Sequence, residues 1–228
     1  MPTAGYYLDL NTFSLAKFKA LLKTSRLLPS QQILQENLND RFACLKRAGI
    51  ENLAQLQAAL KTKAALQSFA KATGLSVDYL TVLRREVSSY QPKPIDLKEF
   101  PGVKPAVVRK LQQTGIKHTA QLFPNVLTRQ DRREFAKQNQ IGEQDLLELT
   151  RLTDVARLKW VGPKFARLLI ESEYDTAEKI AHADADQLYA ALVRVNAERG
   201  LYQGKFGVED MRSWVNGPVQ AAPLVIQY

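Results

Sequence analysis

Two short segments carry the residues best suited to chemistry. They are Phe100-Pro101-Gly102-Val103-Lys104-Pro105 and Leu158-Lys159-Trp160-Val161-Gly162-Pro163-Lys164. In each, a glycine and a proline stand directly before an apolar, helix-periodic stretch. Glycine lets a backbone approach a ligand closely, because no Cβ intervenes. Proline at the first helical position gives up an N–H that would have had no partner inside the helix. The other amides of that first turn point outward and, with the helix dipole, form an anion site. Arg109 and Arg167 stand at the same place in the two segments, four residues beyond each proline. Lys104, Lys110 and Lys164 add positive charge nearby.

The charge pattern around the second segment supports an anion. Residues 155–170 hold Arg157, Lys159, Lys164 and Arg167 with no acid, whereas residues 171–186 hold six acids against Lys179 alone. The chain as a whole has 228 residues and a net charge of +9. That excess fits a polyanion, an acidic membrane or an acidic protein as partner. Its distribution is uneven: +1 over residues 1–40, +5 over 41–96, +3 over 97–154 and zero over 155–228. Net charge is therefore a poor locator, and what points to an anion is local clustering.

Other chemistries are thinly represented. His118 and His182 lie far apart, and neither belongs to a cluster with metal-ligand spacing. There is no P-loop, no dinucleotide fingerprint, no nucleophile elbow and no His-Glu-x-x-His. Cys44 is the one cysteine, so no internal disulfide exists, and beside Phe42 and Leu45 it reads as a helical core residue. No cofactor or metal is expected. Residues 1–10 lack the basic start and apolar stretch of a signal peptide, and no apolar run approaches membrane-spanning length. A cytoplasmic protein with no membrane partner is expected.

The elements that would position these residues come from an internal repeat. Shifted by 66 residues, positions 41–86 match the following stretch at 13 places without a gap, among them Leu45/Leu111, Gly49/Gly115 and Ile50/Ile116. A third copy sits 58 residues further on, where Leu169, Tyr174 and Ile180 take the places of Leu111, Ile116 and Leu122. Apolar spacing predicts helices over 15–23 after a Ser14 cap, over 31–48 ending at Gly49, over 63–73 ending at Gly74, and over 77–88. Asn52 with Gln55 predicts a capping box. Tyr90-Gln-Pro-Lys-Pro94 reads as a stiff break and a hinge. Strand signals are confined to Tyr6–Leu10 and Leu224–Tyr228. The expected organisation is an extension (1–30), three repeats (31–92, 93–154, 155–217) and a tail (218–228).

The segments Leu97–Ile116 and Val155–Tyr174 resemble the helix-hairpin-helix motif, an apolar residue and Pro-Gly-apolar-Gly before a second helix that ends at Gly-Ile. Each keeps one of the two glycines: Lys104 and Trp160 stand at the missing places. Glu173 replaces the glycine that caps the second helix, and Asn37-Leu-Asn39 replaces the first repeat's hairpin. Across most of its length the chain is similar to a mostly bacterial family of tandem helix-hairpin-helix proteins described as a domain of unknown function. The resemblance implies an all-α fold of tandem, SAM-like helix-hairpin-helix repeats. It implies DNA backbone phosphate as the anion, met without base readout by Gly102, Val103, Lys104, Arg109, Lys110, Val161, Gly162, Lys164 and Arg167. The expected function is non-enzymatic, sequence-independent binding of DNA, most simply duplex. The alternative is a protein-interaction module with Trp160, Phe165, Tyr174, Tyr189 and Trp214 as anchors. A DNA-repair enzyme is third. Related glycosylases place a catalytic aspartate some twenty residues after the hairpin, and Asp175 is too close to Gly162. Asp131 and Glu134 lie beside Arg129, Arg132 and Arg133 on what reads as a solvated helix.

Overall fold

The computed structural model describes residues 5–228; residues 1–4, the start of the expected extension, lie outside the described residues. Two compact units are present: Leu8–Gln91, and Pro92–Tyr228 together with Gly5–Tyr7. The division falls within the Pro-rich break at residues 90–94. All described elements are helical, without a strand. The two segments with strand signals instead pack by side chains. Tyr6 and Ile226 bury against Phe123, and the Gln227 amide donates to the Leu127 carbonyl at 2.8 Å. Two short segments do not make an independently stable sheet.

In the first unit, α1 (Leu15–Thr24) starts at Ser14, whose hydroxyl accepts from the Lys17 amide. A 3-10 turn (Pro29–Leu34) precedes α2 (Leu38–Arg47), α3 (Leu53–Ala59), α4 (Lys63–Thr73) and α5 (Val77–Ser88). The single helix expected over 31–48 is thus two pieces. Asn37, at φ 46°, breaks it, and asparagine is among the few residues that visit this region readily. The apolar stripe survives the break, with Leu34, Phe42 and Leu45 all buried. Asn52 caps α3 by accepting from the Gln55 amide, but Gln55 reaches back to the Glu51 amide rather than to Asn52 itself.

The second unit contains α6 (Pro105–Gln113), α7 (Thr119–Leu122), α8 (Arg129–Gln138), α9 (Glu143–Ala156), α10 (Pro163–Glu171), α11 (Ala177–Ala181), α12 (Ala185–Arg199) and α13 (Val208–Val215). The sequence repeat is also a structural one. Helices α3, α4 and α5 begin at residues 53, 63 and 77, and α7, α8 and α9 begin 66 residues later at 119, 129 and 143. The turn closing the first helix is built alike three times. Ile50, Ile116 and Tyr174 donate to the carbonyls of Leu45, Leu111 and Leu169 at 3.1, 2.9 and 3.0 Å. The residue before each is left-handed: Gly49 (φ 83°), Gly115 (φ 87°) and Glu173 (φ 68°).

The third copy differs in what anchors its next helix. Leu53 and Thr119 donate their amides to the carbonyls of Phe13 and Ile95. The equivalent Ala177 amide donates to the Asp154 carboxylate at 2.9 Å. Asp154 is buried on α9 and also accepts from both Nε and Nη2 of buried Arg157 and from the Tyr228 hydroxyl. Burial, with Asp154 adjacent, pushes the Tyr228 phenol far above its ordinary pKa. Every oxygen of this buried charge is therefore satisfied, the condition under which an ion pair is tolerated away from water.

Glu173 is exposed and holds a conformation that costs a residue with a Cβ about 1 kcal/mol. Glu173→Gly is expected to stabilise the protein by about 1 kcal/mol in urea denaturation. An unchanged or lowered midpoint would show that the third turn does not carry that strain.

Candidate functional site

The two glycine-proline segments adopt the same backbone. In the first, Gly102 is left-handed (φ 82°) three residues before α6 begins at Pro105; in the second, Trp160 is left-handed (φ 72°) three residues before α10 begins at Pro163. The conformation that glycine supplies freely in one turn is thus imposed on a bulky side chain in the other. The Lys159 ammonium lies over the Trp160 ring, 4.3 Å from its centroid, yet the ring remains half-exposed. The positions just before the prolines, Lys104 (φ −64°) and Gly162 (φ −90°), are both extended. Neither needs a glycine, which explains how lysine can stand at one of them.

Arg167 joins the two turns. Its Nε donates to the Pro101 carbonyl at 2.6 Å, and its Nη2 meets the Glu148 carboxylate of α9 at 2.5 Å. A Cβ added to Gly102 would lie 3.4 Å from the guanidinium. The side chain leaves the surface altogether, being only 7% exposed. Although Arg109 and Arg167 share a motif position, their surroundings differ: α10 packs on α9, whereas Arg109 faces outward.

The remaining residues of the set divide by what engages them. Lys104 is exposed but pairs with Asp145 at 2.7 Å, and that carboxylate raises its pKa. Lys110 is exposed and donates to the Gln140 carbonyl at the end of α8. Arg109 and Lys164 are exposed, with no hydrogen bond or ion pair to any described residue. Gly102 is exposed, Val103 and Gly162 are half-buried, and Val161 is buried beneath its turn. The structure thus brings Gly102 and Arg167 into contact, and of the four basic residues in 155–170 only Lys164 reaches the surface. Arg157, Lys159 and Arg167 are each at most 7% exposed. The acids that neutralise Arg157 and Arg167 are Asp154 and Glu148, both on α9; the first is a local i,i+3 pair just outside the 155–170 window, and the second is nineteen residues away. Their one legible signal is position: both fall on α9, the helix that ends just before the second turn.

A family model described as Domain of unknown function (DUF4332) matches residues 101–220, just over half the chain. The chain belongs to that family. The DUF4332 match begins within the first turn and runs through the second and past α13 into the 3-10 turn Pro218–Ala221. No curated protein and no solved structure matches the chain.

Elsewhere in and beyond the DUF4332 region, residues with chemical potential are occupied structurally. Asp131 accepts from the Thr128 amide as a helix cap, and Asp175 pairs with Arg151 and Lys179. Cys44 is partly buried on α2 and donates to the Thr73 carbonyl. Among the described residues no group of His, Cys, Asp and Glu could hold a metal ion, and no helix is long and apolar enough to cross a membrane. Phe165 and Trp214 are buried, and the Trp214 indole donates to the Lys159 carbonyl; of the five aromatic anchors, Trp160 alone is exposed.

Arg167→Ala strips Glu148 and the Pro101 carbonyl of their donor and is expected to cost about 2–4 kcal/mol in urea denaturation. Arg109→Ala and Lys164→Ala, both at the surface, should each change stability by less than about 0.5 kcal/mol. Small effects from all three would contradict the structural place of Arg167.

Proposed function

We propose that the two turns are helix-hairpin-helix motifs and that the protein is a non-enzymatic, sequence-independent DNA-binding protein contacting backbone phosphates. The observation that carries this reading is the pairing of the turns. Two turns of one backbone conformation each open a proline-started helix of nine residues, and Arg167 of the second helix donates to the first turn. Helix starts of this kind favour phosphate through outward amides and the helix dipole. Lys164 and Arg109 are exposed and unengaged, free to approach an anion, and Lys110 and Lys104 stand beside them. Arg167 has a positioning role in this reading: it holds the Gly102 turn in place and touches no phosphate.

A protein-interaction role for the same turns has one observation in its favour, the half-exposed Trp160. Aromatic side chains of this kind anchor protein interfaces. The two readings part on salt dependence, since phosphate contacts release counterions and an apolar anchor does not.

With Arg167 withdrawn, about three to four basic side chains remain to neutralise phosphates. Fluorescence anisotropy on random-sequence duplex, between about 50 and 200 mM salt, is expected to give a log–log slope near −3. Lys164→Glu combined with Arg109→Glu should abolish binding. No binding at the low-salt end, or binding unaffected by that pair, would overturn the DNA reading.

A further inference from the structure

Away from the turns, a cleft of about 250 Å³ opens between α8 and α9. Arg129, Arg132, Arg133 and Arg151 line it, with Tyr228, and Glu143 is the one acidic side chain among them. Arg151 is held by Asp175 at 3.0 Å, so its charge is partly answered. Arg129 and Arg133 are exposed and make no hydrogen bond or ion pair to any described residue. Arg132 is 7% exposed, and what holds it is neutral: its Nη1 donates to the Val126 carbonyl at 3.1 Å, and its guanidinium lies over the Tyr228 ring. No carboxylate pairs with it among the described residues. Burial is the main influence depressing its pKa, and Arg129 and Arg151 add to the depression.

The repeat makes this arrangement conspicuous. In the 66-residue register Arg132 takes the place of Leu66, a core leucine 2% exposed in the first unit. A buried leucine stabilises a core, whereas a buried guanidinium without a counter-ion bears an uncompensated desolvation cost. Three further guanidiniums then add mutual repulsion. The Val126 carbonyl and the Tyr228 ring give the guanidinium partners but no negative charge, which a bound anion would supply. Several guanidinium forks converging on one cleft suit a compact group with several acceptor oxygens and about two negative charges. A single carboxylate would satisfy only one fork.

We propose that this cleft binds a phosphate group: a terminal phosphate monoester or a short free polyphosphate. The inference does not rest on the DNA reading, and the residues involved are separate from both turns.

Calorimetric titration of inorganic pyrophosphate into the full chain, at constant ionic strength, is the test. The wild type is expected to saturate at one site. Arg129→Gln with Arg133→Gln, both at the surface, should weaken that binding about tenfold or more, close to 1.4 kcal/mol. Lys164→Glu, at the second turn, should leave it unchanged. An oligonucleotide with a 5′-phosphate, titrated beside its 5′-hydroxyl twin, tells the source of the phosphate. Preference for the phosphorylated twin, lost in the double variant, assigns it to a nucleic-acid end; equal binding beside saturable pyrophosphate assigns it to a free anion. A wild type that neither saturates with pyrophosphate nor distinguishes the twins overturns the proposal. So does a double variant that matches the wild type in both titrations.

Discussion

The guanidinium of Arg167, taken out of water between Glu148 and the Pro101 carbonyl, governs how the DUF4332 region presents its two turns. A buried cation must find donors' partners in fixed positions, because a lost partner leaves an uncompensated charge. Here those partners lie on different elements: one on the turn before α6, the other on α9, while the arginine itself rides on α10. The close approach of Gly102 to the same group leaves little freedom for that turn to drift. This charged contact ties α10 to the turn before α6, in addition to the apolar core that residues of both helices share.

That contact explains what sequence reading could and could not recover. Helix existence, the caps at Ser14 and Gly74, and the 66-residue repeat were legible, because each depends on residues a few positions apart. The basic run 155–170 was legible as charge but not as surface. Asp154 stands three residues before Arg157, just outside that run, whereas Glu148 is nineteen residues from Arg167 and only folding brings them together. The break at Asn37 escaped notice for a related reason: the apolar stripe runs straight through it, and periodicity does not register a single left-handed residue. Trp160 is the opposite case. Its position in the motif marks a place for glycine, and the backbone keeps that conformation although the residue has changed.

The three copies show how a repeated frame diverges once its packing is secured. The helix-closing turn is kept in all three, down to its backbone hydrogen bond, even where glutamate replaces glycine. The anchor of the following helix is a backbone carbonyl twice and a buried carboxylate once. Leu66 and Arg132 mark the sharpest divergence, a core position turned from apolar to charged. The first unit, residues 8–91, carries +6 of the net +9 but has no glycine-proline turn. Charge and turn geometry are thus distributed separately along the chain, which is why total charge located neither the turns nor the cleft.

In the DNA-binding reading proposed above, the two turns act as one phosphate-facing surface. Amide chemical shifts of the full chain, followed by NMR during titration with a short random-sequence duplex, address it residue by residue. The account predicts perturbations gathered at residues 102–106 and 160–164, rising together with one concentration dependence. Perturbations at a single turn, at neither, or with two distinct midpoints would contradict it.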